Sequence, residues 1–149
     1  MSVTADWRWY AAAGEHLADA DLDWLADTLK VSLHGDSYTP DEDADDYFDD
    51  ATDEVTGEGY AAITLAGKTR AYSPSTKILS LGANDAVIAE CTVTDAKYAV
   101  LRKARGGAAS ADELVAYGTF PTLQSTDDGL FQLTFPDGVV LKLKVNVES

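Results

Sequence analysis

Residues 136–145 read Pro-Asp-Gly-Val-Val-Leu-Lys-Leu-Lys-Val and decide the fold class of this 149-residue chain. Apolar residues alternate there with lysines, as Leu141, Leu143 and Val145 against Lys142 and Lys144. Because successive side chains of a strand point to opposite faces, the alternation predicts one face in a core and the other in water. Asp-Gly in the preceding turn is a strong hairpin signal. We therefore expect a strand over 139–147 that pairs with a strand over 130–135.

The same period of two recurs along most of the chain. Further predicted strands cover residues 28–33, 60–65, 69–72, 76–81, 86–93, 97–103 and 113–120. About nine short strands at regular spacing are typical of a two-layer β fold. The sequence therefore predicts a mainly β protein, an antiparallel β-sandwich of immunoglobulin-like or jelly-roll-like type.

Two short helices are predicted ahead of and among the first strands. The first covers residues 5–20, where Trp9 and Ala12 fall on one helical face. The second is an acidic helix near residues 40–50, because Thr-Pro-Asp-Glu at 39–42 has the form of a capping box with proline at the first helical position.

The chain carries 26 acidic and 11 basic residues, which gives a net charge of −15. A surface this negative repels phosphate backbones and anionic membranes, so we expect neither nucleic acid nor membrane as a partner. The acids are concentrated, because Asp41–Glu54 holds nine carboxylates in fourteen residues, and no lysine or arginine occurs from Val31 to Gly67. This pattern is compatible with a basic protein partner.

Few residues are suited to catalysis or to metal binding. His16 and His34 are the two histidines and lie in no motif, and Cys91 is expected to be a small buried hydrophobe. Aspartates alternate over residues 41–45 as in a calcium loop, but no frame supplies both the glycine and the glutamate that such a loop requires. We predict no catalytic residue, no cofactor and no metal site, and therefore not an enzyme.

Three aromatic residues lie within four positions near the start of the sequence. Trp7, Trp9 and Tyr10 either pack on the chain's own sheet or form an arm that docks on a neighbouring subunit. We expect residues 1–20 to form an N-terminal helical arm and residues 21–149 to form a single β-sandwich domain.

Eight stretches of the chain follow one another in a distinctive order. They are residues 23–33, 36–41, 44–50, 53–60, 65–69, 98–103, 114–120 and 131–138. Among them are Asp-Trp followed by Asp-Thr-Leu-Lys-Val, then Tyr-Thr-Pro-Asp, Glu-Val-Thr-Gly-Glu-Gly-Tyr, and Leu-Ala-Gly-Lys-Thr. This order resembles a widespread family of small virion proteins of tailed bacteriophages. One departure from the family pattern is the basic loop Arg102-Lys103-Ala104-Arg105, which points to a different contact in this chain.

The resemblance implies a structural protein of the virion. The first hypothesis is a capsid decoration or stabilising protein that binds the major capsid protein of the head, in many symmetry-related copies or as a homo-oligomer. The second hypothesis is a neck, tail or fibre-base component of the same particle. A free-standing ligand-binding β-sandwich is a further alternative. Six residues are the candidate interface: Trp7, Trp9, Tyr10, Arg102, Lys103 and Arg105.

Overall fold

The computed structural model describes residues 1–145, which form nine strands and one α-helix. In chain order these are β1 (Ser2–Val3), β2 (Asp6–Trp9), α1 (Ala12–Ala18), β3 (Leu29–His34), β4 (Ile63–Thr64), β5 (Thr69–Ser73), β6 (Ile78–Gly82), β7 (Ala86–Lys103), β8 (Leu114–Leu133) and β9 (Val139–Lys144). Short 3-10 turns lie at Phe48–Asp50, Ala109–Ala111 and Pro136–Gly138. The prediction of a mainly β fold is confirmed.

A long antiparallel hairpin of β7 and β8 forms the centre of a six-stranded sheet, the large sheet. β3 pairs with the part of β7 nearest the hairpin loop, and β4 pairs with the outer side of β3. Along the other side of β8, β2 pairs with residues 116–119 and β1 pairs in parallel with residues 132 and 133. The N-terminal residues thus line one edge of the large sheet.

The small sheet has the strand order β5-β6-β9, and both of its strand pairs are antiparallel. Its inward leucines Leu81 and Leu141 belong to the same buried cluster as Leu29, Val31 and Leu33 of the large sheet. The main core therefore lies between the small sheet and one face of the large sheet.

The opposite face of the large sheet carries a second apolar cluster. Along β7, Ala99 and Leu101 belong to the main core, whereas Val100 between them packs with Tyr10 and Tyr38. Because neighbouring side chains of a strand point to opposite faces, the large sheet is covered on both sides near the hairpin loop.

The strands predicted between residues 86 and 135 are longer and fewer than expected, because two continuous strands, β7 and β8, replace four. The pairing register shifts at several points along this hairpin, and Asp95 and Asp128 have positive φ. Bulges of this kind let polar residues interrupt the alternation without ending the strand.

The predicted hairpin across residues 136–138 is wrong, because β9 pairs with β6 and not with β8. Residues 132 and 133 of β8 pair with β1 on one side and with β7 on the other. Both edges of β8 are therefore occupied there, and β9 cannot pair with it. The turn, with a positive φ at Asp137, instead carries the chain into the small sheet. The last residues of the strand predicted over 139–147 lie outside the described residues.

The helix predicted over residues 5–20 is confirmed only for Ala12–Ala18. Asp6–Trp9 form a strand in which two half-buried tryptophans flank the exposed Arg8. Exposure therefore alternates with a period of two, as in a strand, and β2 pairs with β8, which lies far away in the sequence.

The acidic α-helix predicted near residues 40–50 is wrong. A single helical turn follows Asp41, whose carboxylate accepts hydrogen bonds from the backbone N–H groups of Asp43 and Ala44 at 3.1 Å. The backbone is extended again at Tyr47, which bridges to the residue before β8. Aspartate side chains that bond to nearby backbone groups favour turns over helix interiors, and here they occur too often for a helix to continue.

Candidate interaction surface

Residues 38–54, here called the acidic layer, cover the second face of the large sheet. Tyr38 and the half-buried Phe48 anchor it in the apolar cluster around Val100. The imidazole of His34 lies between these two rings, with centroid distances of 5.6 Å to Tyr38 and 5.9 Å to Phe48. A few aromatic side chains therefore hold down a segment whose other side chains are mostly carboxylates.

Backbone hydrogen bonds join the acidic layer to the residues around the start of β8. The N–H of Phe48 donates to the carbonyl of Asp112 at 2.9 Å, and the N–H of Leu114 donates to the carbonyl of Asp46 at 3.0 Å. The layer is thus fixed through its backbone as well as through its side chains.

Several carboxylates of the layer hold its own turns in place. Asp45 accepts hydrogen bonds from the hydroxyl of Tyr38 at 2.7 Å and from the N–H of Asp41 at 3.0 Å. Asp50 accepts one from the N–H of Asp46 at 3.0 Å. The exposed acids of the layer are Asp41, Asp43, Asp46, Asp49, Asp50, Asp53 and Glu54. The result is a negatively charged surface on a fixed backbone.

Glu42 connects the layer to β2 and β8. Its carboxylate accepts hydrogen bonds from Arg8 and from the hydroxyl of Tyr117, the latter at 3.0 Å. The bond from Arg8, followed by the bond from Tyr117, lowers the pKa of Glu42. Arg8 is thereby engaged within the chain.

A buried polar chain lies beneath the layer. The hydroxyls of Tyr10 and Tyr38 are 2.7 Å apart, and Tyr38 donates to Asp45. Burial is the main cause that raises the pKa of both tyrosines well above the ordinary value. These phenols therefore act as neutral hydrogen-bonding groups.

His34 is fully buried at the end of β3. Its Nε2 lies 2.8 Å from Oγ of Ser32, and its Nδ1 lies 2.6 Å from the carbonyl oxygen of Thr52. Burial lowers the pKa of His34, more than the hydrogen bond to Thr52 raises it. The ring is thus a neutral connector between β3 and the acidic layer.

The three aromatic residues proposed for the interface pack within the chain itself. The Trp7 ring lies 6.1 Å from that of Phe135, and Nε1 of Trp9 donates to the carbonyl of Lys142 at 2.9 Å. Tyr10 is 1% exposed. Of the two interpretations of these aromatics, their positions agree with packing on the chain's own sheets.

The proposed basic residues are engaged in internal ion pairs. Arg102 lies 3.5 Å from Asp112, and its guanidinium carbon lies 3.8 Å from the centre of the Phe48 ring. Lys103 lies 3.3 Å from Asp27. These side chains brace the loop after β7 against the rest of the fold.

Arg105 completes this set of ion pairs. Its Nε and Nη2 donate to the two carboxylate oxygens of Glu113 at 2.8 and 2.6 Å. The structure therefore places the six proposed residues in two groups, an aromatic group beside β8 and β9 and a basic group around the hairpin loop.

Sequence reasoning missed the concentration of positive charge in the small sheet. Arg70, Lys77, Lys142 and Lys144 are exposed there, and none of them forms an ion pair with residues 1–145. The alternation of lysine with leucine in β9 was a signal for it, but the role of β5 and β6 became clear only from the strand pairing.

The surface also has an apolar depression of about 380 Å³ beside the small sheet. Trp24, Leu79 and Leu143 line part of it. Among the described residues, no group of three or more histidine, cysteine or acidic side chains is placed to hold a metal ion, and no helix is long and apolar enough to cross a membrane.

No protein-family model, curated protein or solved structure matches the chain.

Proposed function

We propose that this chain is a structural protein of a tailed-bacteriophage virion, namely a decoration protein that binds the major capsid protein of the head in many copies. Its place of action is then the assembled particle. The proposal rests on the order of the sequence stretches described above and on what those stretches do in the fold.

The supporting observation is that these stretches are hydrogen-bonded to one another and to the small sheet. Nε1 of Trp24 donates to the carbonyl of Gly82 at 3.1 Å, which ties the Asp-Trp stretch to the small sheet. The ammonium group of Lys68, from the Leu-Ala-Gly-Lys-Thr stretch, donates to the carbonyl of Asp27.

A third stretch is joined in the same way. The hydroxyl of Tyr60 accepts a hydrogen bond from the N–H of Leu33 at 2.9 Å and donates one to Glu54 at 2.7 Å. The residues that carry the resemblance thus brace a scaffold, which is the property a capsid-stabilising protein needs.

The two sheets, in this proposal, form a sandwich of immunoglobulin-like or jelly-roll-like type, antiparallel except for the parallel pair of β1 and β8. The shared cluster of Val31, Leu33, Leu81 and Leu141 supports a two-sheet arrangement. Both faces of such a body are available for contacts with shell subunits.

Copy number in purified particles tests the proposal. Particles of the source phage are separated on a denaturing gel, and the band of this chain, identified by its peptides, is compared with that of the shell protein. A ratio near one copy per shell subunit, or a simple fraction of it, is the expected result. A dozen copies per particle would assign the chain to the neck or tail instead, and its absence from particles would overturn a virion role.

A further inference from the structure

The small sheet is built from stretches without acidic residues. β5, β6 and β9 contain no aspartate or glutamate, although acids outnumber bases 26 to 11 in the whole chain. The positive charges of these strands and of the turn between β5 and β6 come from Arg70, Lys77, Lys142 and Lys144. This part of the molecule therefore carries a charge opposite to that of the whole chain.

The lysines of β9 point away from the core. Leu141 is buried and Leu143 half-buried, whereas Lys142 and Lys144 between and after them are exposed. Lys142 pairs with Ser80 and Lys144 pairs with Ile78, so the two lysines share this side of the sheet with those residues of β6. We call the outer side of the small sheet around Lys142 and Lys144 the basic face.

The basic face and the acidic layer lie on opposite sides of the molecule. Leu33 of β3 points into the core shared with the small sheet, whereas His34, the next residue, contacts the acidic layer. The same division holds for Leu101 and Val100 of β7. The large sheet therefore separates two surfaces of opposite sign.

We propose that copies of this chain associate head to tail, with the acidic layer of one copy on the basic face of the next. The second copy is the occupant that fits, because it carries the complementary charge on a rigid backbone, and opposite charges across an interface favour and orient encounter. Since the two contact surfaces differ, the contact is heterologous, and repeating it gives a ring or an open filament.

Sedimentation velocity of the purified full-length chain tests this directly, without any phage particle. At low ionic strength, about 20 mM NaCl, we expect the average mass to rise with protein concentration, and at about 500 mM NaCl we expect it to fall to that of a monomer, because salt screens exposed charges. The experiment is independent of a virion role, so its failure would leave the proposed function standing.

Two charge-reversal variants locate the surfaces. K142E/K144E reverses the basic face, and D43K/D49K reverses the acidic layer at two exposed side chains that make no hydrogen bond within residues 1–145. Each variant alone should lose at least about tenfold in association constant, because like charges then face each other. An equimolar mixture of the two should associate again.

A matched control for D43K/D49K is E90K/D127K, which makes the same change in net charge, +4, at two exposed positions of the long hairpin. It should associate as the unmodified chain does. The proposal is overturned if the unmodified chain is monomeric at low salt, if its oligomers persist in high salt, if both reversal variants still associate alone, or if their mixture does not. Circular dichroism spectra of all variants establish that each is folded.

Discussion

The buried carboxylate of Glu113 is stabilised by one of the few basic side chains of this chain. Its side chain is 3% exposed and faces Arg105, which donates two hydrogen bonds to it. The bond from Arg105 lowers the pKa of Glu113. A buried carboxylate without such a partner is strongly unfavourable, so Glu113 depends on Arg105 for its charge to be tolerated.

His34 should make the stability of the chain depend on pH. Burial lowers its pKa in the folded state below the ordinary value of 6.5, so the unfolded chain binds a proton that the folded chain excludes. Stability is then fully present above about pH 6.5 and declines as the pH falls below it. Urea unfolding at a series of pH values between about 5 and 7.5 measures the slope, above the range in which carboxylates titrate.

The H34Q variant, which keeps hydrogen-bonding capacity without the charge, should show a flatter profile over this range. H16Q keeps His34 and should retain the decline. Equal slopes in the unmodified chain and in H34Q would show that His34 is not the group responsible.

At the residue scale the sequence predicted what is local. Lys142 and Lys144 were expected to be exposed and Cys91 to be buried, and both predictions are confirmed. The partners of Arg102 and Arg105 could not be predicted, because an ion pair depends on how the hairpin loop folds back on β7 and on the acidic layer.

Two glycines, one in α1 and one in the loop before β4, give a paired prediction. In α1, a Cβ added at Gly14 would meet no atom within 4 Å, so G14A should stabilise the chain by about 0.5–1 kcal/mol through helix propensity. At Gly57 an added Cβ would lie 1.9 Å from the carbonyl oxygen of Thr92, so G57A should destabilise it by about 1–3 kcal/mol. Chemical denaturation measures both; a loss in G14A would show that the helix tolerates no side chain there.

Deleting residues 1–10 should strongly destabilise the chain. The deletion removes β1 and β2, together with Trp7, Trp9 and Tyr10, and loss of a single buried large aromatic side chain costs about 3–5 kcal/mol. Thermal unfolding followed by circular dichroism measures the effect. In case the deleted chain does not fold, W9A supplies the milder version, with L123A at an exposed leucine as its control.

An unchanged melting temperature after the deletion would contradict the packing described here and would support the arm that docks on a neighbouring subunit.

At the element scale the limits of sequence reasoning follow from distance along the chain. Strands whose pattern is strict, such as β3 and β9, were predicted close to their observed bounds. β2 was taken for helix because its partner is Thr119 and its neighbours, more than a hundred residues away. The pairing of β9 could not be read from its turn, since it depends on both sides of β8 being occupied.

The molecule as a whole should become more stable when salt is added. A net charge of −15 on a chain of this size repels itself, and screening weakens that repulsion. We expect the melting temperature at low protein concentration to rise between about 20 and 200 mM NaCl. D43K/D49K, which removes part of the negative charge, should show a smaller rise. A falling melting temperature would mean that the internal ion pairs outweigh the repulsion.

For the molecule as a whole, composition and strand spacing predicted the class of fold. They did not predict that the acidic and basic surfaces lie on opposite sides of the large sheet. The acid-rich stretch from Val31 to Gly67 and the acid-free strands of the small sheet were visible in the sequence. Only the strand pairing shows that they lie on opposite sides of the large sheet. The packing of Trp7 and Trp9 on the chain's own sheets also depends on strand pairing, because β2 is placed by β8.

The pairing of β2 and β1 with β8 also sets the order of events during synthesis. The ribosome releases Asp6–Trp9 more than a hundred residues before Ala116–Thr119, the part of β8 with which this strand pairs. Trp7 and Trp9 therefore remain unpacked in the nascent polypeptide, exposed to chaperones and to other chains, until the β7–β8 hairpin leaves the exit tunnel. Addition of β1 and β2 to the large sheet is then a late step, and premature termination before Thr119 would leave a product that cannot complete this sheet.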